Sequence, residues 1–193
     1  MNWNHLDKQM QFFSNRLMSE VKLTPEMAAK LATNISSDVR FLSMEQKAKI
    51  KAASPVPLTD RLDELKAFQG WMEQANTIRN NPYVTRAQVL SQSYICFVYL
   101  PESCFRILAK ACLSGSAAKK CAQFLINNPV RAYRNAIAHA NWTYRTDFKA
   151  LIYWARKGSD LNEPLERFEV EQEDLAFWQA LSRCVAYASY SNL

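Results

Sequence analysis

Residues 131–142 read RAYRNAIAHANW, which gathers Arg131, Arg134, Asn135 and Asn141 around His139, one of only two histidines in the chain. Histidine is the side chain that ordinarily exchanges protons near neutrality. Guanidinium grips two phosphate oxygens through parallel hydrogen bonds, and a carboxamide one turn away can orient an imidazole or donate to a phosphate oxygen. These residue types suit proton transfer beside a bound phosphate. At about 100° per residue, Arg131, Asn135 and His139 fall within about 80° of one another on a helix, and Arg134 lies about 140° from His139. Val130, Tyr133, Ile137 and Ala140 cluster on another side and form the expected packing face, with Tyr133 in the core.

A helix of this kind needs a scaffold, and helical signals run through most of the chain. Asn128 followed by Pro129 is a cap-and-proline start for the helix that carries the motif. Three N-terminal helices are expected. Leu6, Met10, Phe13, Leu17 and Val21 have helical spacing, Thr24 caps a segment opening with Pro25, and Ser43 with Gln46 forms a capping box. The segment SPVPL at 54–58 breaks the pattern and is the expected linker. Beyond it, Thr59 is expected to cap a helix with an apolar stripe of Leu62, Leu65, Phe68, Met72 and Ala75. Further helices are expected from Pro82 towards Tyr99, after Pro101, and over SAAKKCAQFLIN after Gly115. Past Trp142, the run ALIYWARKG and the alternating RFEV predict a two-strand excursion before a last helix with Leu175, Trp178, Leu181 and Val185. The expected fold class is all-α with one short β-hairpin, divided into a helical extension over 1–58 and a helical domain over 59–193.

Composition excludes several classes of function. The longest apolar run, YICFVYL, ends at Pro101 and is too short to cross a bilayer, and the first residues lack the basic-then-apolar pattern of a leader. A cytoplasmic protein is expected, with no membrane partner. Three glycines, at 70, 115 and 158, leave no phosphate-cradling loop or dinucleotide fingerprint, and no G-x-S-x-G or H-E-x-x-H occurs. Five cysteines without a C-x-x-C suggest buried reduced thiols in place of disulfides or a zinc knuckle. The net charge of +6 is unevenly spread: residues 100–157 hold ten Lys/Arg against two Asp/Glu, and residues 161–193 hold two against six. A basic middle of this kind attracts polyanions.

The stretch RNAIAHANW, with the following FKALIYWARKG and the terminal FEVEQEDLAFWQALSRCVAYA, resembles the HEPN superfamily of helical nucleotide-binding domains. In its RNA-cleaving members an arginine, a polar residue and a histidine after four to six intervening residues mark the site. The resemblance covers about residues 60–193 and implies a HEPN-like helical bundle, with Arg134, Asn135 and His139 in the catalytic positions. It implies a metal-independent endoribonuclease without a cofactor, of the toxin or antiviral-defence type. RNA carries its own nucleophile, the 2′-hydroxyl, so a proton-transferring group and a cation at the phosphate suffice. Arg131, Lys119, Lys120, Arg145 and Lys149 are the expected RNA-backbone contacts, joined by Arg156 and Lys157. The angular separation of Arg134 and His139 is accounted for either by an irregular helix or by a homodimer with the site at its interface, the arrangement common in the family. A non-catalytic RNA-binding or protein-interaction module is the alternative. Residues 1–58 are candidates for contact with an antitoxin or other regulatory partner.

Overall fold

The computed structural model describes residues 3–54, 56–75, 82–100, 102–127, 129–156 and 160–193. It is mostly helical, with one small antiparallel sheet. The helices are α1 (Trp3–Ser19), α2 (Pro25–Ala29), α3 (Leu31–Arg40), α4 (Met44–Ala52), α5 (Leu58–Ala75), α6 (Pro82–Ser93), α7 (Glu102–Ala111), α8 (Ala117–Ile126), α9 (Val130–Ala138) and α10 (Gln172–Tyr190). A π-helical segment, Tyr94–Tyr99, continues α6. It ends at Leu100, whose extended ψ of 120° suits a residue that precedes proline.

Local chemistry explains most of these boundaries. Thr24 accepts the Met27 amide, with Pro25 in the first turn of α2. Ser43 and Gln46 exchange both bonds of the capping box that starts α4. Ser116 caps α8 by accepting the Lys119 amide, next to a Gly115 whose φ of +82° is the left-handed geometry glycine tolerates. Four helices precede the proline-rich segment where three were expected, because Lys30, at φ −117° and ψ 35°, interrupts the pattern between α2 and α3. The expected cap at Thr59 is also corrected: α5 begins at Leu58, the Asp60 and Arg61 amides bond Pro57 O, and the Thr59 hydroxyl donates to Asp60. Asn128 and the side chains of Leu6, Phe68, Met72 and Ala75 lie outside the described residues.

The sheet corrects the expectation of two strands. Its order is β1 (Trp142–Tyr144), β2 (Ala150–Ala155) and β3 (Glu166–Glu171), all antiparallel. Trp, Thr and Tyr fit a pleated surface, so the chain pairs as a strand directly after the motif. Tyr153 faces Phe168 across the β2–β3 ladder, the rings stacked 5.3 Å apart.

One apolar cluster joins the elements. Leu17, Ile35, Val39 and Ile50 belong to the same buried set as Leu108, Cys121, Tyr133, Leu175, Leu181 and Val185. The first 58 residues are tied to the rest by polar contacts as well. Asp38 accepts the Ala118 amide at the start of α8, where the helix dipole favours an acid, and Arg40 donates to Asn192 at 2.7 Å. No helix among the described residues is long and apolar enough to cross a membrane.

Candidate functional site

The position of α9 is set by its buried face. Tyr133 is fully buried, edge-on to Phe97 of the π segment, Tyr153 of β2 and Trp178 of α10, at 5.7, 5.3 and 6.0 Å between ring centroids. Its hydroxyl lies 2.8 Å from Ser93 Oγ. Ser93 donates its single proton to Val89 O at 2.8 Å and accepts from Gln179 Nε2 at 3.0 Å, so Tyr133 must be the donor in its bond with Ser93. Burial pushes the Tyr133 phenol well above its usual range. Three elements thus fix the core side of α9 and leave the side bearing Arg131, Asn135 and His139 outermost.

The helix ends earlier than the run of polar residues suggests. His139 is the C-cap, at φ −103° and ψ 9°, and Ala140 turns left-handed at φ +58°. The Ala140 amide bonds Ile137 O at 3.3 Å, and the Asn141 amide bonds Ala136 O at 2.8 Å. This pair of bonds is the Schellman closure, with alanine where glycine is usual. Asn141 O then accepts the Trp154 amide at 2.9 Å, extending the β1–β2 ladder. His139 is therefore pinned at a helix end between α9 and β2, and is exposed.

A cleft of about 220 Å³ opens there, lined by Arg131, Asn135, Ala136, His139, Asn141, Trp154, Ala155, Arg156, Leu161 and Leu165. The structure brings Arg131, Asn135 and His139 together from one chain. Arg156 joins them in the lining, its Nε donating to Glu163 O at 2.7 Å. Arg134 is outside this lining: its Nη1 is 2.6 Å from Glu102 Oε2 on α7, and its Nε donates to Asn135 Oδ1 at 3.1 Å. The other expected cations are elsewhere. Lys119 Nζ donates to Cys112 O at 3.4 Å, and Lys120 Nζ to Lys22 O at 2.6 Å. Arg145 is held by Asp147, Glu169 and Glu171 at 2.5–2.8 Å, which raises its pKa and holds Asp147 down at about 2. Lys149 is exposed on the β1–β2 turn, and Lys157 lies outside the described residues.

Sequence reasoning did not single out Trp154, Leu161 and Leu165 of the lining, nor Glu102 behind it. Trp154 is half-buried on the outward side of β2, and the alternation in ALIYWA carries that signal, since Leu151, Tyr153 and Ala155 occupy the buried side. Glu102 stands 32 positions before Arg134, and no local pattern links them. Ala136 is buried whereas Ala138 and Ala140 are exposed, so Ala140 is not part of the packing face expected of it, because the helix has already ended when the chain reaches it. Tyr144 packs edge-on against Trp142 at 5.5 Å and against Phe148. Among the described residues no three His, Cys, Asp or Glu side chains gather as a metal site. No protein-family model, curated protein or solved structure matches the chain.

Proposed function

We propose that the α9–β2 cleft is the site of a HEPN-type, metal-independent endoribonuclease acting on RNA as a toxin or defence effector. The observation that carries this reading is one cleft holding an imidazole, two guanidinium groups, a carboxamide and an indole: His139, Arg131 and Arg156, Asn135, and Trp154. In the proposed reaction His139 takes the proton of the 2′-hydroxyl, whose oxygen attacks the adjacent phosphorus. The bond to the 5′-oxygen of the next nucleotide breaks, and that oxygen is protonated, leaving a 2′,3′-cyclic phosphate and a 5′-hydroxyl. Arg131 and Arg156 hold the phosphate, with Asn135 as a further donor. Trp154, with Leu161 and Leu165 in the same lining, supplies the flat apolar surface on which an unpaired base stacks. Arg134, the motif's own arginine, acts from behind the cleft in this reading.

One imidazole can serve as base or as acid, and a homodimer joining two such clefts would supply both. Residues 1–58 remain the candidate contact for an antitoxin or regulator. Diversion of Arg134 onto Glu102 favours a second reading, an RNA-binding module that does not cut. The two separate in one assay. Purified protein incubated with mixed single-stranded RNAs in EDTA should cleave them, and His139→Ala should bind RNA without cleaving it while melting near wild type. Binding without cleavage by the wild type would establish the second reading.

A further inference from the structure

We propose that Glu102 is a positioning residue of the cleft: through Arg134 it fixes the Asn135 carboxamide so that its N–H groups, and not its carbonyl, face a bound phosphate. The proposal rests on the reading of the cleft as an RNA site.

The chain of contacts is continuous. Arg106 of α7 donates to Glu102 Oε1 through Nε at 2.8 Å and Nη2 at 2.7 Å. The other carboxylate oxygen of Glu102 takes Nη1 of Arg134 at 2.6 Å. The remaining two nitrogens of that guanidinium, Nε and Nη2, both donate to Asn135 Oδ1. Arginine has donors and no acceptor, so the end of the carboxamide turned towards Arg134 must be its oxygen. The amide nitrogen is the end left for the cleft that Asn135 lines. A carboxamide free to flip would present its carbonyl to phosphate part of the time, and two lone pairs would then meet an anion. Glu102 is suited to its place: its side chain is only 11% exposed, and it stands in the first turn of α7, where the helix dipole favours an acid. It is absent from the cleft lining, so it acts on a bound phosphate through Arg134 and Asn135.

The sign of one substitution separates this role from a bystander charge. Glu102→Gln removes a negative charge near a basic cleft. If Glu102 were a bystander, that change would tighten the binding of a polyanion. If Glu102 positions Asn135, RNA binding should weaken by several-fold, less than the roughly tenfold or greater loss from Asn135→Ala, since hydrogen bonds to charged groups are worth about 1.5–3 kcal/mol. In an Asn135→Ala background the same Glu102 change should weaken binding no further.

The experiment uses the full chain, a fluorescent single-stranded RNA oligonucleotide and anisotropy titrations, with the Asn135 side-chain amide followed in proton–nitrogen spectra of the free protein. Glu102→Gln should shift that amide resonance and weaken binding. Arg134→Lys, which keeps the charge but loses the fork that spans Glu102 and Asn135, should do the same and serves if Glu102→Gln fails to fold. Unchanged or tighter RNA binding in these variants, with the Asn135 resonance unmoved, would overturn the positioning role alone. Absence of RNA binding by the wild type would instead overturn the reading of the cleft on which it depends.

Discussion

Replacing Ala140 by glycine should stabilise the protein, against the usual effect of adding a glycine. Ala140 holds φ +58° in the turn that closes α9. An L-residue with a Cβ loses about 1–2 kcal/mol in the left-handed region, and glycine does not. The looser unfolded chain of the glycine variant offsets about 0.4–1 kcal/mol of that gain. Ala140 is exposed, so the lost methyl adds little to the balance. The net expectation is a gain of about 0.5–1 kcal/mol, or about 1–4 °C in Tm for a chain of this size. Two residues earlier, Ala138 is exposed in right-handed helix, and Ala138→Gly should lose roughly 0.5–1 kcal/mol. Urea denaturation of both variants alongside wild type decides the matter. Equal losses at 138 and 140 would show that Ala140 bears no left-handed strain, and would refute the account of how His139 is held.

Three further outcomes follow from the contacts. Ser93→Ala strands the buried Tyr133 hydroxyl and removes one of the two acceptors of Gln179 Nε2, and should cost at least 1 kcal/mol more than Tyr133→Phe, expected at about 1 kcal/mol, in the same denaturation assay. Arg131→Ala should weaken RNA binding and lower the slope of log affinity on log salt by about 0.7, whereas Arg145→Ala, already held by three carboxylates, should alter the hairpin and leave that slope near wild type. Asp147 titrates at about 2, below its ordinary value, so its contribution is complete above about pH 4 and is lost as the pH falls towards 2. The Lys149 amide, which Asp147 accepts at 2.9 Å, should keep its resonance from pH 7 to about 4 and move only below that.

What could be read from the sequence followed local chemistry. Thr24, Ser43 with Gln46, and Ser116 mark helix starts because each satisfies amides three residues on, and Leu175, Trp178, Leu181 and Val185 mark the buried stripe of α10 by spacing alone. The angular reading of α9 put Arg131, Asn135 and His139 on one side and Tyr133 on the other, as the fold places them. The end of α9 was not legible, because the left-handed residue is an alanine and carries no glycine signal. Strand β1 is only three residues and forms by pairing with β2. Contacts between distant segments were equally hidden. Neither the capture of Arg134 by Glu102 nor the enclosure of Arg145 by Glu169 and Glu171 has a local period. Those contacts decide which arginines remain for a phosphate.

The most direct measurement uses two RNA oligonucleotides of one sequence cut by the protein, one all-ribose and the other carrying a single 2′-deoxy sugar at the mapped cleavage position, both in EDTA. The account predicts that the first is cut to a 2′,3′-cyclic phosphate and a 5′-hydroxyl, and that the second is bound with similar affinity and left intact at that position. Cleavage of the deoxy-substituted strand at the same bond, or products ending in a 5′-phosphate, would contradict attack by the 2′-hydroxyl in the α9–β2 cleft.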